Sequence, residues 1–168
     1  MATRWMLIIL AVSVGLMGCG PEPQTQEEIA QAIADAEYQE VTLDGRVFRL
    51  EVAADADQRF QGLSDREQIA EDGGMLFVFP SEARREFVMR RCLVPIDILF
   101  LDGRGTVVKT HAMKVEPYDR PELALKRYGS RWPAQFAIEI RGGLLEGMAI
   151  EEGDVIELPI EQLKAMAR

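Results

Sequence analysis

Short apolar segments alternate with turns and charged residues along most of the chain. Three of these segments follow one another closely, at residues 75–79, 87–89 and 96–101. Apolar runs of this length, rich in Phe, Val and Ile, are typical of strands buried on both faces of a sheet. Residues 46–53 and 135–141 instead alternate between apolar and polar side chains, which predicts strands with one face in the core.

The rest of the pattern predicts hairpins and a few small helices. A turn at residues 102–105 leads into another strand, and residues 27–38 have apolar side chains at helical spacing. That helix either docks on the domain or stiffens a tether, and Pro159 suits the first position of a C-terminal helix. The pattern lacks the long crossover helices that a parallel sheet needs. We therefore predict a mainly β (α+β) domain, a compact curved sheet or barrel-like fold of six to seven short strands with two to three small helices.

The N-terminus has the pattern of an export signal. Residues 5–17 form an apolar run behind a single positive charge at Arg4, and thirteen residues are too few to span a bilayer comfortably. The sequence Leu-Met-Gly-Cys that ends at Cys19 resembles the bacterial lipobox, in which the cysteine is diacylated and becomes the N-terminus. An ordinary secretory signal, with Cys19 present by chance, is the alternative. We expect the lipoprotein, because a polar tether starts immediately after the cysteine.

These features predict the order of segments along the chain. A signal peptide at residues 1–18 precedes a tether and short helix at 19–40, a globular domain at 41–158 and a terminal helix at 159–168. Acyl chains on Cys19 would hold the protein at a membrane. A glycine rather than an acid follows the cysteine, which resembles sorting to the outer membrane. We expect a cell-envelope location, on the periplasmic face of that membrane.

Charge is distributed unevenly. Without residues 1–18 the chain has 18 basic and 28 acidic residues, a net charge of −10, which argues against nucleic acid as a partner. Residues 84–132 nevertheless carry eleven Arg and Lys against six Asp and Glu, a local charge of +5. A positive region on an acidic molecule concentrates anions. The alternative is that these arginines only pair with the acidic remainder of the protein.

Cysteine and histidine are too few for several kinds of site. If Cys19 is lipidated, Cys92 is alone and no internal disulfide can form. Cys92 follows two arginines, which would lower a thiol pKa, or it is simply a small core residue. His111 is the one histidine, so neither a metal ligand set nor a catalytic triad is predicted. A Gly-rich phosphate loop is also missing, and we expect no metal and no cofactor.

Two carboxylates lie in predicted strands. Asp97 and Glu139 could face each other as a general acid and base, as in glycoside cleavage. Alternatively, each holds an arginine, such as Arg66 or Arg90, in a structural ion pair. The structural interpretation is favoured, because no nucleophile or second base lies beside them in the sequence.

A series of motifs also resembles a known family. They are Gly62-Leu63 with Arg66, Gly74-Met75-Leu76-Phe77 with Phe79, Met89, Pro95-Ile96-Asp97-Ile98-Leu99-Phe100, Asp102-Gly103, Ile138-Glu139, Gly142-Gly143 and Gly153-Asp154. Their order resembles the domain-of-unknown-function 192 family, from about residue 41 to residue 158. The chain departs from it at Ser64, Val88 and residues 90–92, where the family usually has Met, Trp and Lys-Asn-Thr. The resemblance implies a compact, strand-rich and often exported domain of bacteria or archaea, and it brings no established activity.

Two classes of function remain. The first is a lipid-tethered envelope module that binds a small anion or a partner protein, with the region from Arg84 to Arg91 and the loop at residues 116–133 at the mouth of its site. Its candidate binding residues are Arg66, Met89, Arg90 and Arg91. The second is a hydrolase-like envelope enzyme that uses Asp97 and Glu139. We expect the binding module rather than the enzyme.

Overall fold

The computed structural model describes residues 22–168, which form an α+β domain built around an open β-sheet. The elements are α1 (Gln26–Asp35), β1 (Tyr38–Leu43), β2 (Arg46–Ala53), α2 (Ala56–Gln61), β3 (Gly74–Ala83), β4 (Glu86–Phe87), β5 (Ile96–Leu101), β6 (Val107–Met113), β7 (Tyr128–Gly129), β8 (Ala134–Arg141) and α3 (Ile160–Met166), with 3-10 turns at Glu122–Ala124 and Leu145–Gly147.

Six strands form one sheet, in the order β1-β2-β3-β8-β5-β6, and β4 pairs with β7 in a separate ribbon. All pairs in the large sheet are antiparallel except β2 with β3. The prediction of a mainly β (α+β) domain is confirmed. Of the two forms that the sequence allowed, the barrel-like one is not found among the described residues, because β1 and β6 remain at opposite edges.

The central strands β3, β8 and β5 are buried on both faces, in β3 over its first five residues. The apolar runs predict this for β3 and β5, whereas the alternation at residues 135–141 predicts a half-buried strand, and for β8 that prediction is wrong. Successive side chains of a strand point to opposite faces, so each strand contributes to two cores. The first core contains Leu76, Leu99 and Ile138, and α3 covers it with Leu163. The second core consists of residues on the other face, among them Met75, Phe77, Ile98, Phe100 and Ala137.

The two terminal helices belong to the body of the domain. In α1, Ile29 is buried, and the Gln26 side chain donates a hydrogen bond to the Asp65 carbonyl at 2.9 Å. The helix therefore docks on the domain. In α3, Leu163 is 1% exposed, so residues 159–168 complete the first core. No helix between residues 22 and 168 is long and apolar enough to cross a membrane. Residues 1–21, including Cys19, lie outside the described part of the chain.

Gly74 permits a close approach between β3 and β8. Its φ of +146° is one that residues with a side chain rarely adopt, and a Cβ there would lie 2.1 Å from the carbonyl oxygen of Glu139. Only glycine can occupy that position without moving a strand. The contact holds the Glu139 end of β8 against the first residue of β3.

Candidate functional site

The two acids of the predicted pair lie on opposite faces of the sheet. Asp97 alternates with Ile98, so it faces the first core, whereas Glu139 is in phase with Ala137 and faces the second core. Asp97 is 1% exposed, and its Oδ2 accepts a hydrogen bond from the backbone N–H of Leu145 at 2.8 Å. It therefore stabilises the turn after β8. The structure does not form the acid–base pair that the sequence allowed, and the contact of Asp97 is a backbone N–H rather than an arginine.

Glu139 is a buried acid of a different kind. It is 5% exposed, it lines a pocket, and its carboxyl group makes no hydrogen bond or ion pair within residues 22–168. Burial raises the pKa of Glu139 to about 8, although the charge of Arg66 opposes this shift. The carboxyl group is therefore mostly protonated at neutral pH, and it can both donate and accept a hydrogen bond.

Arg66 is part of the scaffold rather than of this pocket. Its guanidinium group forms a two-pronged ion pair with Glu51, in which Nη2 lies 2.7 Å from Oε2. Both side chains are nearly buried, at 12% and 10% exposure. Alternation along β2 places Glu51 on the outer face, but the segment that carries Arg66 covers that face. Sequence reasoning missed this partner for Arg66.

Arg91 belongs to a second buried ion pair. One of its terminal nitrogens lies 3.2 Å from Oδ2 of Asp65, which is 2% exposed. The same carboxylate accepts hydrogen bonds from the Tyr118 hydroxyl at 2.8 Å and the Gln24 backbone N–H at 3.2 Å. Asp65 thus joins the N-terminal segment, the loop before β7 and the corner at Arg91. Ser64, Arg90 and Cys92, the chain neighbours of this ion pair, line the pocket.

Met89 and Cys92 are core residues of the second face. Met89 is 1% exposed and does not line the pocket. Burial is the main cause that raises the pKa of Cys92 to about 12, and the charge that Glu139 acquires at alkaline pH adds to it. Together they outweigh the lowering effect of Arg90 and Arg91. The thiol therefore stays protonated, and the activation that the neighbouring arginines suggested is not found.

The pocket itself opens on the second face and has a volume of about 360 Å³. Its apolar lining includes Phe77, Phe79 and Phe87, with the Phe87 ring edge-on to Phe77 at a centroid distance of 4.9 Å. Glu139 is its deeply buried acid. Five arginines also line it: Arg59, Arg84, Arg85, Arg90 and Arg127. We refer to it below as the arginine-rimmed pocket.

Three of the five arginines are held in fixed positions. Arg59 donates to the carbonyls of Ala54 and Val78 at 2.6 and 3.0 Å. The guanidinium carbon of Arg85 lies 4.1 Å from the centre of the Phe79 ring. Arg90 is 4.0 Å above the Phe60 ring and 3.8 Å from a carboxylate oxygen of Glu122. Desolvation lowers the pKa of Arg85 and Arg90, yet an arginine keeps its charge at neutral pH.

The other two arginines are available to a ligand. Arg84 and Arg127 are exposed, and neither forms an ion pair with any residue between 22 and 168. Glu86 and Glu122 also line the pocket, so the five arginines leave it with an excess of positive charge. The predicted local positive charge thus contributes Arg84, Arg85, Arg90 and Arg127 to one pocket. Arg59 comes from α2, and no sequence pattern pointed to it.

His111 is packed between strands and loop. Its Nε2 lies 2.8 Å from the carbonyl oxygen of Gly129, and its ring contacts Phe100 and Tyr128 edge-on. Over residues 22–168, no cluster of three His, Cys, Asp or Glu side chains is arranged to hold a metal ion.

Fold and motif order together define the class of protein. The chain belongs to the domain-of-unknown-function 192 family, described as "Uncharacterized ACR", whose model matches residues 39–158. The resemblance seen in the motifs is thereby confirmed. No protein with a curated functional description matches the chain.

Two solved structures are similar. One is a protein of Sinorhizobium meliloti 1021 described as a proposed transcription regulator; it is 30% identical with a TM-score of 0.63, and the match covers 73% of this chain and 94% of that one. The other is a protein of unknown function from Novosphingobium aromaticivorans DSM 12444, 27% identical with a TM-score of 0.65, over 75% and 89% of the two chains.

The raised pKa of Glu139 predicts that the free energy of unfolding depends on pH. Its folded-state pKa of about 8 lies above the ordinary value of 4.5, so the proton stabilises the folded state fully below pH 4.5. That stabilisation is lost as the pH rises toward 8, with a slope of up to about 1.4 kcal/mol per pH unit. Glu139→Gln cannot ionise, and we expect it to remove this slope in urea unfolding measured between pH 5 and pH 8.

Glu67→Gln is the matched control, because Glu67 is exposed. It should keep the slope of the natural protein. An unchanged slope in Glu139→Gln would contradict the assignment of a buried, uncharged carboxyl group.

Proposed function

We propose that the protein is a lipid-tethered binding protein of the cell envelope, whose domain binds a small organic anion in the arginine-rimmed pocket. The observation that carries this proposal is the pair Arg84 and Arg127, two exposed guanidinium groups at one pocket without a carboxylate partner among residues 22–168. Guanidinium groups bind carboxylate and phosphate oxygens in two-pronged geometry.

The rest of the pocket supports the same kind of ligand. A volume of about 360 Å³ lies in the range of small-molecule sites, and the aromatic lining offers apolar contact to a flat ligand body. The acidic remainder of the chain repels anions, whereas the arginines attract them locally. An anion is therefore favoured at the pocket over the rest of the surface.

Binding is better supported than hydrolysis. The enzyme alternative depended on Asp97 and Glu139 acting together, and these side chains lie on opposite faces of the sheet. Ser64 lines the pocket, but its hydroxyl donates to the carbonyl oxygen of Arg90 at 2.8 Å. We therefore assign Glu139 a role in recognition rather than in bond cleavage.

The description of the Sinorhizobium relative as a proposed transcription regulator is not extended to this chain. DNA binding requires a basic surface that follows the phosphate backbone. Here the full chain has a net charge of −9, and the unpaired arginines surround a pocket. We propose no nucleic-acid partner.

The membrane tether is the second part of the proposal and comes from the sequence around Cys19. The backbone N–H of Gln24 bonds to Asp65, so the chain is attached to the domain five residues after that cysteine. Five residues span at most about 17 Å. The domain would thus be held close to the membrane surface, on the periplasmic face of the outer membrane.

Isothermal titration calorimetry tests whether the pocket binds an organic anion. The full-length protein in detergent is titrated with 3-phenylpropanoate. Reversing both available charges, in Arg84→Glu/Arg127→Glu, should weaken binding at least tenfold, about 1.4 kcal/mol. Higher salt should also weaken binding of the natural protein.

The control for this test is Arg46→Glu/Arg104→Glu, which changes the net charge equally at two exposed arginines outside the pocket. It should change the affinity less than twofold. Equal weakening in both double variants would show a general charge effect and no site.

The tether has its own test. Cys19→Ser removes the acceptor sulfur, and we expect the protein to move from the membrane fraction to the soluble periplasmic fraction. Intact mass of the natural protein should exceed that of residues 19–168 by the mass of its acyl groups. A mass without acyl groups would refute the lipoprotein assignment while leaving the pocket proposal intact.

A further inference from the structure

We propose that the ligand has an uncharged hydrogen-bonding group at the end opposite its anionic group, and that Glu139 recognises that group. A hydroxyaryl carboxylate is the chemical class that this arrangement fits. The inference rests on the proposed function, since it describes the same pocket.

The Glu139 carboxyl group is buried and has no hydrogen-bond partner in the described chain. The residue is more than nine-tenths buried and lines the pocket, and its carboxyl group has no hydrogen-bond partner within residues 22–168. The Glu139 oxygens are not completely enclosed, so they face the pocket space, although burial of the residue limits their hydration. A bound group that reaches the pocket interior would supply the missing partner.

Other polar side chains of the pocket already form hydrogen bonds within the protein. The Ser64 hydroxyl donates to the Arg90 carbonyl at 2.8 Å, and the Cys92 sulfur lies 3.6 Å from the same oxygen. The Gln61 side-chain amide donates to the Ser64 carbonyl at 3.2 Å. Ser64, Cys92 and Gln61 thus each have a hydrogen-bond partner in the protein, whereas the Glu139 carboxyl group has none within residues 22–168.

The charged and the uncharged polar groups of the pocket differ in exposure. Arg84 and Arg127 are exposed, whereas Glu139, in β8, is buried. Aromatic rings, those of Phe77 and Phe87 among them, line the same cavity. A ligand that satisfies all three regions has an anion at one end, a flat apolar body, and a neutral polar group at the other.

A second anionic group is disfavoured beside Glu139. A negative charge placed beside the buried Glu139 carboxyl group would lose its hydration, and desolvation would oppose it. An uncharged carboxyl group accepts a hydrogen bond from a hydroxyl and can also donate to one. The pocket should therefore distinguish a phenol from an unsubstituted ring.

Calorimetric titration of the full-length protein in detergent, with two probes that differ by one hydroxyl, tests this inference. The probes are 3-phenylpropanoate and 3-(4-hydroxyphenyl)propanoate. We expect the hydroxylated probe to bind the natural protein about tenfold more tightly. Glu139→Gln, which keeps a donor and an acceptor, should retain this preference. Glu139→Leu should bind both probes equally.

The outcomes separate the two proposals. If neither probe binds the natural protein, the proposed function fails, and this inference fails with it. If both probes bind with arginine-dependent affinity but Glu139→Leu keeps the tenfold preference, the inference alone is overturned. Equal affinity of the natural protein for both probes overturns it in the same way.

If the Glu139→Leu protein does not fold, NMR of the natural protein replaces it. In the natural protein, the ¹³C carboxyl resonance of Glu139 should shift with the hydroxylated probe at saturation and move much less with 3-phenylpropanoate. Identical shifts with both probes would contradict recognition of the hydroxyl group.

Discussion

The burial of β3, β8 and β5 on both faces is the constraint on which the rest of the structure depends. Since neighbouring side chains of a strand face opposite ways, every polar residue in these strands is assigned to one core or the other. Asp97 enters the first core and bonds to the backbone of Leu145. Glu139 enters the second core and meets a pocket. Two acids that look equivalent in sequence thereby have different roles.

The arginines divide in the same way into structural and available groups. Arg66 and Arg91 pair with the buried carboxylates Glu51 and Asp65, and breaking such a pair would leave an uncompensated charge. Both are therefore scaffold, although the sequence offered them as binding residues. Arg84 and Arg127, which have no such partners in the described chain, are the groups whose charge a ligand can use.

Local pattern predicted the strands well and the site only in part. Apolar runs at residues 75–79 and 96–101 became β3 and β5, whereas the run at 87–89 overlaps only the two-residue strand β4. Strand pairing and the covering of strand faces are non-local, so the parallel contact of β2 with β3 and the burial of Glu51 were missed. The opposite orientation of Asp97 and Glu139 likewise depends on the register between β5 and β8.

The most direct test of the account is the pKa of Glu139 in the native protein, followed by its ¹³C carboxyl resonance and assigned with Glu139→Gln. The account predicts a titration midpoint of about 8, because the carboxyl group is buried at an apolar pocket and kept uncharged at neutral pH. A midpoint near the ordinary 4.5 would show a solvated carboxylate, and the pocket would then present a negative charge to its ligand. That result would contradict the role given to Glu139 as an uncharged recognition group.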